Sequence, residues 1–462
     1  MKHAQTIRAP AAAGQRRGNF FEDFRLGQVI RHGTPRTLTD GDAAVYLALT
    51  GARHVASSSV IAARELGFPT RPLDDLLVFN VAFGKTVPDV SLNAVANLGY
   101  AELRFLAPVF AGDTLRCESV VIGLKENSSR RTGVVYVRST CYRDDSAVLS
   151  WVRWVMVEKR QAEAAAPEMH VPDLAPVVSV ERLVAAPRLL SPDALAEWCE
   201  ATGSRRLWDD CRAGDRIDHP GGMTIEEADH MLATRLYQNN ARPHFDALAM
   251  RETPVGARLV YGGHVISVCH ALAYEGFENI LGILAINSGS HVAPTRAGDT
   301  LYAFTEVLEK WKLPGRADVG ALRLRLVGLK NQPPAQVTSA TTEVDGRRMP
   351  HPNVVLDLDY TVLMPRRLAA RASGGVRSKK NVLSAPRPAA AGRPPRGSRK
   401  VAKPHFLESA PRPTTTSSAP RGGINKVAEP HLIMSSVFDA DVEPAGGRPP
   451  RRARSPFANG TT

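Results

Sequence analysis

An internal duplication constrains this chain more than any other feature of its sequence. FEDFRLGQVI (21–30) resembles WDDCRAGDRI (208–217), and TLTDGD (37–42) resembles TIEEAD (224–229), both at an offset of 187 residues. APVFAGDTL (107–115) returns as APTRAGDTL (293–301) at an offset of 186, so a single one-residue gap keeps the copies in register. The chain is therefore expected to hold two copies of one fold.

Periodicity says which fold. TLTDGDAAVYLALTGARH and TIEEADHMLATRLYQNNARPH each open on a Thr near an acidic residue and continue in helix formers, the pattern of a helix start. A second, largely apolar helix follows in each copy, DLLVFNVAFGKT in the first and LVYGGHVISVCHALA in the second. The remainder alternates and is rich in β-branched residues, as in TGVVYVRSTCYR, VLSWVRWVMVEK, GALRLRLVGLK and VVLDLDYTVLM. The predicted class is α+β: a long antiparallel sheet wrapped around one central helix in each copy, a double hot dog once two copies are fused.

Composition fixes the boundaries. The 462 residues carry a net charge of +13, but 17 Lys/Arg against 5 Asp/Glu lie between Leu368 and Thr462, leaving 42 against 41 for the rest. The basicity belongs to a tail and says little about the folded body. The expected layout is a flexible N-terminus (1–18), a hot-dog domain (19–160), a Pro/Ala-rich linker (161–200), a second hot-dog domain (201–367) and a disordered Pro/Arg-rich tail (368–462). The five cysteines are scattered without a CxxC pair, which reads as free thiols in a reducing compartment, and no apolar run suits a signal peptide or a membrane span. A soluble cytoplasmic protein is expected.

GNFFEDFRLGQ, VAFGKTVPD, SLNAVANLGY, TIEEADHMLATRLYQNNARPHF, YGGHVIS and the closing DYTVLMPRR together resemble the mesaconyl-CoA hydratases, also called β-methylmalyl-CoA dehydratases, within the MaoC-like, R-specific enoyl-CoA hydratase superfamily. The resemblance covers residues 19–367 and not the tail. It implies reversible hydration of an enoyl-CoA, with the acyl-CoA as substrate, no metal and no redox cofactor, and it favours a homo-oligomer. The superfamily's catalytic segment, Gly-Asp-x-Asn-Pro-x-His-x-Asp, falls on QNNARPHFD (238–246). His244 then takes the place of the catalytic His, Asp246 that of the trailing Asp, and Asn239 that of the catalytic Asp. Asn cannot take up a proton, so His244 is assigned to activate water and Asn239 to hold it. At the 187 offset the first copy has Ala52, Ser57 and Ser59 in these places, so one active site per chain is predicted, with chemistry on the second copy.

Gly262 and Gly263, at the start of the apolar helix, are the oxyanion-hole candidates, because backbone N–H groups are unpaired there and the helix dipole favours negative charge. Phe83, Gly84, Lys85 and Thr86, with Asn93, Ala94, Val95 and Ala96, match a family segment lining the acyl and pantetheine groove. Lys85 would meet a carboxylate or phosphate, and His264 would touch substrate. Structural roles compete with these: Asn239 and Asp246 as caps, the glycine pair as close packing, Lys85 as a solvated charge, and His264, His270 and His291 as packing residues. Two other readings stand beside the hydratase. One is a hydratase for another branched or dicarboxylic enoyl-CoA, such as itaconyl-CoA; the other is a nonenzymatic acyl-CoA binder whose tail contacts a partner or nucleic acid. The tail's lack of interleaved aromatics argues against specific nucleic-acid recognition.

Overall fold

The computed structural model describes residues 18–344 and 347–368. The flexible N-terminus and the disordered basic tail expected from composition lie outside the described residues, apart from Gly18 and Leu368.

The first copy runs through β1 (Val29–Arg31), β2 (Arg36–Thr37), α1 (Asp40–Thr50), α2 (Val55–Ser58), α3 (Val60–Glu65) and α4 (Asp75–Val90), then through β3 (Ala94–Phe105), β4 (Thr114–Glu126), β5 (Thr132–Arg143) and β6 (Ser146–Glu158). After α5 (Pro192–Thr202), the second copy follows with β7 (Arg216–Thr224), α6 (Glu227–Leu236), α7 (Arg242–Phe245), α8 (Ala247–Arg251) and α9 (Gly262–Leu272). It ends in β8 (Gly282–His291), β9 (Thr300–Lys312), β10 (Val319–Lys330), a hairpin of β11 (Thr341–Val344) with β12 (Arg347–Pro350), and β13 (Val354–Pro365).

Of the two helix starts read from the sequence, the first is capped by its Thr, whereas α6 begins after Glu226 with no capping side chain and Thr224 ends β7. Thr39 Oγ1 accepts from the Asp42 N–H at 3.2 Å while the Asp42 carboxylate accepts from the Thr39 N–H at 2.8 Å, so two otherwise orphaned donors at the start of α1 are paired. Gly51 ends α1 with φ 66°, a left-handed turn that suits glycine. α4 is buried along almost its whole length, and Phe79 inserts between the rings of Tyr100 and Trp151. Each such large side chain contributes roughly 1.5–3 kcal/mol of burial, which explains why a largely apolar helix sits inside the sheet's curve.

The strands form one continuous antiparallel sheet in the order β1-β4-β5-β6-β3-β8-β13-β10-β9-β7, with β2 beside β4. The two copies meet at β3 and β8, where Tyr100 faces Gly289 and Leu103 faces Ile286. This is the double hot dog expected from the duplication, with α4 and α9 packed against each other beneath the seam. The connecting segment 161–200 is pinned along its length. His170 pairs with Leu124 through both backbone groups, Val178 N–H donates to Asn287 Oδ1 at 3.0 Å, and Leu190 N–H donates to Asp318 Oδ2 at 2.9 Å. Its last residues already belong to α5, started by a Ser191 cap and Pro192. No helix among the described residues is long and apolar enough to cross a membrane.

Candidate active site

α9 begins without a capping side chain: Tyr261 holds the N-cap position and makes no side-chain hydrogen bond to the helix. The next two residues are glycine, so the first backbone N–H groups are left for a ligand. Close approach explains the glycines. A Cβ on Gly262 would lie 2.3 Å from His291 Nε2, and one on Gly263 would lie 2.0 Å from Asn80 Oδ1.

His244, on α7, stands beside this helix start, with its ring centroid 5.6 Å from that of Tyr261. Its Nδ1 is 3.0 Å from the Leu259 carbonyl oxygen. A carbonyl only accepts, so Nδ1 carries the hydrogen and the neutral ring presents Nε2 as a lone pair. Burial pushes its pKa down to about 4, helped by the neighbouring His230. The ring is therefore neutral at pH 7 and able to take a proton. His291 closes the opposite side, with Nε2 3.3 Å from the Tyr100 hydroxyl, and burial beside His244 lowers it to about 4. His264 is buried with Nδ1 3.4 Å from the Tyr237 hydroxyl, and its Nε2 has no partner.

The remaining sequence candidates separate. Asn239 is buried, and its Oδ1 accepts from the Ala241 N–H at 3.0 Å, so half of its amide is spent on the turn leading into α7. Asp246 is exposed and its Oδ1 accepts from the Ala249 N–H at 3.0 Å, which gives it the work of a cap for α8. Lys85, expected to meet a carboxylate or phosphate, instead buries its Nζ on the Thr34 carbonyl, and that burial lowers its pKa. Gly84 is needed where α4 crosses the second copy, since a Cβ there would lie 1.9 Å from the Tyr237 carbonyl. Phe83 does reach the site, 5.7 Å from Tyr261, and Thr86 lies one turn along the same helix. Asn93 donates to the Asn19 carbonyl, Val95 is exposed, and Ala94 and Ala96 pair with Val157 and Met156 at the start of β3.

The first copy carries the same architecture with different residues at its helix start. α4 begins 187 residues before α9, so Asp74 stands where Tyr261 does and Asp75 where Gly262 does. Asp74 caps its own helix, accepting from the Leu76 N–H at 2.9 Å. Asp75 accepts from the Ile283 N–H at 2.8 Å, and burial raises its carboxyl to about 7. A cavity of about 80 Å³ remains there, lined by His54, Ser57, Asp74, Asp75 and His270 among others. A carboxylate on the helix start disfavours a developing oxyanion, so of the two equivalent positions the uncapped start of α9 suits one better.

Sequence reasoning passed over the aromatic wall of Tyr100 and Tyr261, and also Asn80 and Arg153, and it read His291 as a packing residue. Arg153 is fully buried on β6 with its guanidinium 4.2 Å above the Phe83 ring. It donates to Thr86 Oγ1 at 2.8 Å and to Ser91 Oγ at 3.2 Å, while Nε finds no partner. No carboxylate pairs with it among the described residues, and burial lowers it to about 10. Taking a cation out of water costs several kcal/mol, against about 2 kcal/mol returned by the ring. The signal was present: in VLSWVRWVMVEK, Arg153 is in phase with the inward-facing Trp151 and Val155.

The buried histidines also make stability depend on pH. His219 and His264 are essentially inaccessible and both are lowered by burial from 6.5 to about 4. Between those values the unfolded chain binds protons that the folded chain refuses, so stability is full above pH 6.5 and falls as pH drops toward 4. Two such groups contribute a slope of up to about 2.7 kcal/mol per pH unit. Urea midpoints measured from pH 7 downward are expected to fall steeply below pH 6.5; a flat series would contradict the buried neutral histidines.

Residues 5–345 match the family model for mesaconyl-CoA hydratase. The β-methylmalyl-CoA dehydratase of Chloroflexus aurantiacus is 53% identical over 351 residues, covering 76% of this chain and 98% of that protein. The mesaconyl-CoA hydratase of Cereibacter sphaeroides is 51% identical over 355 residues, covering 76% and 98%. A solved MaoC domain protein dehydratase from Chloroflexus aurantiacus superposes with a TM-score of 0.73 at 52% identity, covering 77% of this chain and all of that one. A Mycobacterium tuberculosis protein described as having a double hotdog fold superposes at 0.57 with 26% identity, covering 75% and 98%.

Proposed function

This chain belongs to the mesaconyl-CoA hydratase family, and from that premise we propose that it is a hydro-lyase that reversibly hydrates mesaconyl-CoA to β-methylmalyl-CoA at one site on its second copy. His244 Nε2 takes a proton from water, the resulting hydroxide attacks the β-carbon of the enoyl thioester, and the electron pair moves to the thioester oxygen. The N–H groups of Gly262 and Gly263 meet that oxygen as it becomes negative, and the α9 dipole adds to the effect. The imidazolium returns its proton to the α-carbon, so atoms and charge balance with a single base. Asn239, with Oδ1 committed to Ala241, keeps its N–H groups to orient the water. A ring lowered to about 4 is a weak base in the empty site; the negative charge developing on bound substrate raises its proton affinity when the proton must be held.

The observation that carries this reading is the His244 Nδ1 bond to the Leu259 carbonyl, which leaves Nε2 as the acceptor beside an uncapped, glycine-started helix. Acid–base chemistry alone runs the reaction. Association into a homo-oligomer is part of the same proposal, since β1 and β7 present sheet edges. The test follows the loss of enoyl-thioester absorbance with mesaconyl-CoA, itaconyl-CoA and crotonyl-CoA. Selective loss with mesaconyl-CoA is expected; preference for itaconyl-CoA would move the substrate assignment, and binding without turnover would leave an acyl-CoA binder.

A further inference from the structure

Among the described residues Arg153 is a buried cation without a counterion, and donors around it are short of acceptors. Its Nε, the Tyr261 hydroxyl and both polar atoms of the Asn97 amide are buried and unpartnered. Backbone register places Asn97 and Arg153 on one face, and ring contacts connect Arg153 to Tyr261. Tyr100 pairs with Arg153 and Asn97 pairs with Val155, so Asn97 and Arg153 share the face of the sheet that covers α4. Arg153 lies over Phe83, whose ring is 5.7 Å from Tyr261, and Tyr261 is in turn 5.6 Å from His244. Tyr100, paired with Arg153, reaches His291 on the other side of the helix start. Native proteins seldom leave a cluster of buried donors unpaired unless something else fills it.

We propose that Arg153 is the seat of the substrate's free carboxylate, and that it selects dicarboxylic enoyl thioesters over their uncharged analogues. The inference rests on the hydratase reading given above. A carboxylate supplies the negative charge and the acceptor lone pairs that the buried Arg153 Nε, the Tyr261 hydroxyl and the Asn97 Nδ2 lack. It is small enough to enter a site where Phe83 and Thr86 wall the guanidinium, as a CoA phosphate is not. In mesaconyl-CoA the carboxylate is carried by the carbon that receives hydroxide. Anchoring it at Arg153 therefore fixes the electrophilic carbon relative to His244 while the thioester oxygen rests on the start of α9.

The test compares ligands that differ only in that group, using the full chain and its Arg153→Gln and Arg153→Lys variants. For turnover, tiglyl-CoA is mesaconyl-CoA with methyl in place of carboxylate. The ratio of kcat/KM for mesaconyl-CoA over tiglyl-CoA is expected to fall by about 100-fold in Arg153→Gln and by less in Arg153→Lys. For binding without chemistry, methylsuccinyl-CoA is compared with 2-methylbutyryl-CoA, and the wild type's preference for the former is expected to vanish in Arg153→Gln. Arg153→Met should raise the melting temperature by about 3 °C, since it removes an uncompensated buried charge. Equal losses for both members of each pair, a preference that survives the substitution, or no preference in the wild type would overturn the proposal, as would collapse of the fold in every variant. A wild type that prefers methylsuccinyl-CoA yet hydrates nothing would leave the carboxylate seat standing and remove the hydratase reading instead.

Discussion

His244→Ala is expected to lower kcat for mesaconyl-CoA hydration by about 100- to 10,000-fold, the range over which a positioned acid–base group accelerates proton transfer. KM should change little, because the ring's role is to move a proton and not to hold the thioester. The fold should survive. The His244 side chain makes one hydrogen bond, to the Leu259 carbonyl, and α7 is a four-residue helix at a half-buried edge of the second copy. Thermal unfolding within a few degrees of wild type would separate lost chemistry from lost structure. His244→Gln sharpens the result, since its amide can still donate to Leu259 but has no basic lone pair, so it should be as inactive as alanine. Activity retained within tenfold in both variants would remove His244 from the mechanism and shift attention to His291 and His264, two further neutral imidazoles at the glycine pair.

The duplication made the fold legible because it is arithmetic: an offset of 187 residues carries the first residue of α4 onto the first residue of α9, and alternation in the remainder identified strands. The candidate site was legible where short, uninterrupted motifs define positions, as they do for His244 and the glycine pair. Lys85 and Asp246 went the other way because their partners are far in sequence or ordinary in kind, a Thr34 carbonyl in one case and a helix N–H in the other. Arg153 was missed although its phase was readable. An inward arginine normally implies a carboxylate on a neighbouring strand, and only the assembled sheet shows that none is there. Bulges also obscure such positions: β3 shifts register between Asn97 and Gly99 and again between Ala101 and Arg104, so counting by twos along this strand assigns faces wrongly.

Gly262→Ala should be nearly as damaging as loss of the base, and for a different reason. The added methyl would lie 2.3 Å from His291 Nε2 and within 2.7 Å of two ring carbons, closer than atoms can pack. Either the imidazole swings away or the first turn of α9 retreats, and in the second case the N–H groups meant for the oxyanion move with it. Losing one such donor costs roughly 100- to 1,000-fold in kcat. Stability should respond far less, because alanine is favoured over glycine within a helix by about 1 kcal/mol, and this offsets part of the clash. The double variant Gly262→Ala with His291→Ala separates the two outcomes. If the damage is a steric push on the helix start, removing the imidazole restores room and recovers part of kcat. If His291 itself serves the reaction, the double variant stays inactive. Full activity in Gly262→Ala alone would mean that no oxyanion forms at this helix start, and the contrast with the Asp74-capped helix of the first copy would then be one of packing and not of chemistry.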